Sequence, residues 1–169
     1  MRTGILAEHL RQAGDEVVWW TSDFDHTKKV HRLGRDGAEN IAERDDIRLL
    51  HSIGYRRNVS LRRVLNHFGV ARKFRAQAPK LVRPDVILCS LPTVELCNAA
   101  LDFGIDHKIP VVLDVRDLWP DLFLDVAPNW ARPAARALCT PLFRAAERAC
   151  RRANGLIGTT KHYVDWALA

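Results

Sequence analysis

The chain has 169 residues, 27% of them charged and 47% apolar, with a formal net charge of +6. That length suits one domain with a real core and excludes two large ones, and the composition is ordinary for a globular protein. No apolar run approaches the roughly 18 residues that cross a bilayer, and no signal peptide precedes the first predicted helix, so the expected location is the cytoplasm.

Thr3 to Ala13 is predicted as a helix, with Ile5, Leu6 and Leu10 on its inner side and Gly14 as its stop. Glu16 to Thr21, E-V-V-W-W-T, is β-branched and aromatic and reads as a strand. A helix in first place is unusual, because a doubly wound sheet ordinarily starts with a strand. Ser22 to Arg44 is polar and reads as one long loop, a length that is usually functional or disordered. His26 with His31 in that loop is too weak a pattern for zinc, and no metal is expected. Ile47 to Leu50 is a further short strand, closed by Gly54.

The positive balance is carried by one segment, Tyr55 to Arg83, which has many basic residues and no acid. Ser60 is expected to cap a helix starting at Leu61, with Val64, Leu65 and Phe68 at helical spacing. At Gly69 the apolar phase slips toward Val70, Phe74 and Ala78, which predicts a bend or break. Pro79 and Pro84 end the segment. A helix this basic has three readings: a solvated face, a contact with anionic lipid, or a nucleic-acid patch. The last is set aside, and no nucleic-acid partner is expected, because no stacking platform or nucleic-acid motif accompanies the charge.

Asp85 to Ser90 is the next strand, and Thr93 or Glu95 is expected to cap the helix Val94 to Phe103, which Gly104 ends. Val111, Val112, Leu113 and Val115 then read as a strand buried on both faces, and the run stops abruptly in Asp114, Arg116 and Asp117. Ligands of open α/β sheets bind at the carboxyl ends of strands, so these groups form a candidate site by position as well as type. A structural role is open beside it, with Asp117 capping the next helix and Arg116 pairing with Asp114 or Asp117. Pro120 is expected to hold Trp119 extended and to suit a first helical turn. Asn129 to Asn154 reads as a helix that restarts at Thr140-Pro141, with Arg144, Arg148, Arg151 and Arg152 toward its end. Gly155 to Thr159 is the last strand, followed by a helix from Thr160 to Leu168. The four cysteines, Cys89, Cys97, Cys139 and Cys150, lack C-x-x-C spacing and are expected as buried reduced thiols.

Three blocks combine into a resemblance: P-D-V-I-L-C-S-L-P (Pro84 to Pro92), D-V-R-D-L-W-P (Asp114 to Pro120) and R-R-A-N-G-L-I-G-T-T (Arg151 to Thr160). The chain resembles the N-terminal domain of a family 4 glycosyltransferase of the GT-B fold, most of all the branch that builds bacterial surface polysaccharides. The resemblance spans essentially the whole chain. It implies an α/β fold: a Rossmann-like, doubly wound, mostly parallel sheet with helices on both faces. It also implies that residues 1–169 are one acceptor-side domain, truncated at both ends. In the family a first strand and a glycine-rich turn precede the equivalent of R-T-G-I-L-A-E-H-L, and that strand lies at the middle of the 3-2-1-4-5 order. Its absence would leave two strands without their common neighbour.

The reaction implied is transfer of a sugar from a nucleotide-sugar donor to a lipid-linked glycan acceptor, with retention at the anomeric carbon and without a metal or cofactor. The donor would be held mainly by a C-terminal domain that these residues do not include, leaving this half inactive by itself. Asp117 matches the position where many family members carry a histidine facing the transferred sugar. It and Arg116 are the expected catalytic residues, with Arg116 steadying Asp117 or binding an acceptor phosphate. Asp114, Trp119, Ser90 and Thr159 are expected around the cleft, Asp114 in support and Trp119 in packing. Lys28, Lys29 and Arg32, with His31, are expected where an acceptor phosphate would pass. Arg56, Arg57, Arg62 and Arg63 are the expected contacts with an anionic membrane, placing the protein peripherally on the inner face of the cell membrane. The alternative is a non-catalytic basic module that binds a membrane surface or polyanion through residues 55–83.

Overall fold

The computed structural model describes residues 2–32 and 46–168. The chain packs into two compact units, residues 1–56 and 57–169.

In the first unit, helix α1 (Arg2–Gln12) leads into strand β1 (Trp19–Ser22). This strand pairs in parallel with β4 (Ile47–Leu50), from Trp19 opposite Ile47 to Ser22 opposite Leu50. Gly14 closes α1 with φ +95°, a left-handed conformation that glycine adopts without a Cβ penalty. The inner face of α1 differs from the expected one. Ile5 is 61% exposed and Leu10 is also exposed, whereas Ala7 is buried and Gly4 lies against the Trp19 ring. Small residues three apart let a large indole approach the helix closely, and this outweighs the burial of Ile5. Arg11 pairs with Asp46 just ahead of β4. The long loop expected from Ser22 is structured where it is described, because β2 (Phe24–Asp25) and β3 (Val30–His31) form an antiparallel hairpin. The Asp25 carboxylate accepts the backbone N–H groups of Thr27 (2.9 Å) and Lys28 (3.1 Å), so a single acid shapes the turn. The rest of that loop, residues 33–44, lies outside the described residues.

The second unit is built on a parallel sheet of β5 (Ile87–Ser90), β6 (Val111–Val115) and β7 (Gly155–Gly158), with β6 central. Val111, Leu113 and Val115 are buried, as an apolar run between two neighbours requires. The other elements are α2 (Leu61–Gln77), α3 (Val94–His107), the one-turn α4 (Leu122–Asp125), α5 (Arg132–Arg152) and α6 (Lys161–Leu168). Helix α3 packs on both α2 and α5.

Ser60 caps α2 as expected, its hydroxyl accepting the Arg63 N–H at 3.3 Å. The helix runs unbroken through Gly69. The expected phase slip at Gly69 is instead a single face whose first half is polar: Arg63, Asn66, His67, Val70, Ala71 and Phe74 are all buried. Leu61, Leu65 and Phe68 instead lie exposed on another face, at 73%, 53% and 55%. Helix α3 continues past Gly104 and ends at Lys108, with φ 58°. Gly104 is needed for approach: a Cβ there would lie 2.7 Å from the Ile109 carbonyl oxygen. Thr93 makes no side-chain cap, and Glu95 is buried rather than exposed in the first turn. Helix α5 passes through Pro141 without restarting, and Thr140 Oγ1 donates back to the Arg136 carbonyl at 3.1 Å.

Asp102 on α3 ties the helices together, accepting from Arg152 of α5 (2.7 Å) and Arg75 of α2 (3.1 Å). Its burial would raise the carboxyl pKa, but the two guanidinium groups outweigh this and hold it below the usual aspartate value. All four cysteines are buried and free. The hydrogen bond from Cys89 Sγ to Cys97 Sγ (3.4 Å), with burial, pushes the Cys97 thiol well above the usual cysteine range. Among the described residues, no helix is long and apolar enough to cross a membrane.

Candidate functional site

Strand β6 delivers its charges at the carboxyl end of the second unit's sheet. Asp114, the last residue but one, is wholly buried and sits in register between Ser90 of β5 and Ile157 of β7. Burying a carboxylate is costly unless it is paired, and the Arg116 Nε–H meets Asp114 Oδ2 at 2.5 Å. The guanidinium is thus aimed by its own strand. Asp117, one residue further on, is half-buried, and among the described residues no ion pair or side-chain hydrogen bond engages it. It does not cap the next helix: the residue ahead of α4 is Asp121, whose Oδ2 accepts the Trp166 indole N–H at 2.8 Å.

Trp119 is fully buried, in keeping with a packing role. The Arg63 guanidinium lies 4.3 Å from its ring centroid, and Phe123 and His67 pack at 4.7 and 5.8 Å. Arg63 is itself buried and donates to the Asn58 carbonyl at 2.9 Å, so it is withdrawn from the expected membrane-contact set. Arg56, Arg57 and Arg62 are exposed. Pro120 follows a cis Trp119-Pro120 bond and lies ahead of α4, outside its first turn. Ser90 stands beside Asp114, while Thr159 is exposed just beyond β7. Depressions of about 260 Å³ and 440 Å³ lie in this unit, and neither of these is lined by Arg116 or Asp117.

A second cluster occupies the corresponding strand ends of the first unit. Asp23 follows β1 and His51 follows β4, each one residue past its strand. Asp23 is wholly buried; its Oδ2 is 2.6 Å from His51 Nδ1 and 3.3 Å from His31 Nδ1, and its Oδ1 accepts the Ser52 N–H at 2.9 Å. Burial would raise the Asp23 pKa, but the hydrogen bonds from His51 and Ser52, the charge of the His51 imidazole and the neighbouring His31 ring hold it below the ordinary value. Neither Asp23 nor His51 stands out in the sequence by residue type or spacing. Their signal was positional, a polar residue directly after each strand, where open sheets bind ligands. Of the expected basic residues in this unit, Lys28 is exposed, Lys29 places its ammonium 4.6 Å from the Tyr55 ring centroid, and Arg32 lies 3.9 Å from Asp25.

A family model described as Glycosyltransferase Family 4 matches residues 3–169. The chain belongs to that family. No curated protein and no solved structure matches it. As a family 4 glycosyltransferase domain it has the expected class of architecture, a Rossmann-like mixture of helices and parallel sheets consistent with GT-B.

Proposed function

We propose that this chain is the acceptor-side part of a retaining glycosyltransferase of the surface-polysaccharide kind, moving a sugar from a nucleotide donor to a lipid-linked glycan. The donor is bound mainly by a second domain, and neither a metal nor a cofactor takes part in the transfer. The observation that carries this reading is Asp117: a half-buried carboxylate, unengaged among the described residues, just past the carboxyl end of the central strand and beside an arginine already oriented by Asp114. A carboxylate there accepts a hydrogen bond from a sugar hydroxyl and favours positive charge developing at the anomeric carbon. Arg116 supplies a guanidinium for an acceptor phosphate.

In the transferase that carries this chain together with its donor-binding domain, Asp117→Ala is expected to lower kcat/KM by about tenfold to a hundredfold, the worth of a hydrogen bond to a charged group. The unfolding midpoint should hold, because no other described side chain depends on Asp117. Unaltered transfer by a folded variant removes the site assignment.

The surface of α2 supports the lipid-linked acceptor and a peripheral position on the inner membrane face. Leu61, Leu65 and Phe68 form an exposed apolar stripe at helical spacing, flanked by exposed Arg57, Arg62 and Arg72. Apolar side chains beside cations suit an anionic interface, where each Lys or Arg contributes about 1 kcal/mol. Cosedimentation with anionic vesicles is expected for the wild type, with loss on Arg62→Glu or Phe68→Asp and little binding to neutral vesicles. Equal sedimentation of wild type and variants removes the membrane contact and leaves the sugar reading standing.

A further inference from the structure

We propose that Asp23, His31 and His51 form a binding site for a divalent transition-metal cation, with zinc as the probe ion. The three ligand atoms lie within 4.8 Å of one another. Two imidazoles and one carboxylate are a donor set suited to zinc, nickel or copper and poorly suited to magnesium or calcium, which take all-oxygen shells. Three protein ligands with a fourth position left for solvent is also a common zinc arrangement.

The geometry supports a cation more than a chance meeting of side chains. With bonds of about 2.0–2.2 Å and tetrahedral angles, ligand atoms on zinc stand about 3.3–3.5 Å apart. His31 Nδ1 and Asp23 Oδ2 are already 3.3 Å apart, and His31 Nδ1 is shielded from solvent without a well-aligned hydrogen bond. His51 Nδ1 is closer to Oδ2, at 2.6 Å, but that side chain is 66% exposed and can turn outward to admit an ion. The ring of His31 is held from behind: Phe24 packs edge-on at 5.3 Å, and Gly54 leaves room where a Cβ would lie 3.1 Å from Nε2. The carboxylate is held too. Its Oδ1 is occupied by the Ser52 N–H (2.9 Å) and lies 3.3 Å from the Ser52 hydroxyl, which meets the Ser22 hydroxyl at 2.9 Å. Such supporting bonds around a ligating carboxylate orient it and leave the other oxygen for the ion. The backbone adds rigidity, since Asp23 N donates to Leu50 O (3.0 Å) and Arg32 N donates to Asp23 O (2.6 Å).

The test uses the full chain stripped with a chelator and titrated with zinc by calorimetry, then with cobalt by absorption. One equivalent is expected to bind, with the visible bands of four-coordinate cobalt and no near-ultraviolet thiolate band. His31→Ala and His51→Ala should each weaken zinc by at least about tenfold, since even supporting residues are worth that much. His26→Ala, on the exposed turn of the same hairpin, should leave affinity unchanged. His51 is exposed but also holds the buried Asp23 carboxylate, so circular dichroism verifies the fold of His51→Ala, and His51→Asn, which keeps an N–H donor toward Asp23, is expected to weaken zinc while preserving the fold. The proposal is overturned by any of four results: no saturable binding, equal affinity in wild type and His51→Ala, a loss in His26→Ala matching that of His51→Ala, or a thiolate band that assigns the ion to the cysteines.

Discussion

Trp119→Ala is expected to destabilise the protein by about 3–5 kcal/mol, the range for truncating a buried aromatic residue to alanine. The indole is fully buried between Phe123, His67 and the Arg63 guanidinium, so little of the cavity can be refilled from solvent. The upper part of the range is favoured because Arg63 is itself buried and would lose the aromatic face over which it lies. Urea unfolding reads this directly as a lower midpoint at an unchanged slope. Trp119→Phe should cost clearly less. It keeps a ring in the stack, and the indole N–H that it removes has no hydrogen-bond partner among the described residues. A loss below about 1 kcal/mol for the alanine variant would mean that the block after β6 is held by something other than this ring.

His67→Leu is the second large effect, at about 3 kcal/mol. His67 on α2 and Glu95 on α3 face each other at 3.3 Å, with side chains 7% and 6% exposed. Removing the imidazole leaves a largely buried carboxyl group facing an apolar side chain, and that loss exceeds anything the pair contributes in net terms. The double variant His67→Leu/Glu95→Leu should therefore recover most of the stability, since an apolar pair of similar volume avoids the desolvation altogether. The coupling between the two positions should be about 1–3 kcal/mol in a double-mutant cycle. Additive losses, with the double variant the least stable of the set, would show that the two groups do not sense each other.

The central strand was legible because a run buried on both faces has few alternatives: Val111 to Val115 reads as β6 without help from the rest of the chain. Strand ends were legible too, and with them Asp114 and Arg116. The face of α2 was not. Its buried half includes Arg63, Asn66 and His67, and for Arg63 and His67 the partners are Trp119 and Glu95, far along the chain. Apolar spacing cannot reveal a polar residue whose burial is made tolerable by a distant partner, and the helical spacing of Leu65 and Phe68 marks a face that lies exposed. The same reason hid Asp23 and His51. Each is unremarkable alone, and their meeting depends on β1 and β4 lying side by side.

The bond between Arg116 and Asp114 has a bearing on affinity. A free arginine gives up about 2 kcal/mol of rotamer freedom when a ligand immobilises it. Here the restraint comes from a buried carboxylate two residues upstream on the same strand, so the freezing of that side chain belongs to the formation of the sheet and not to the arrival of an anion.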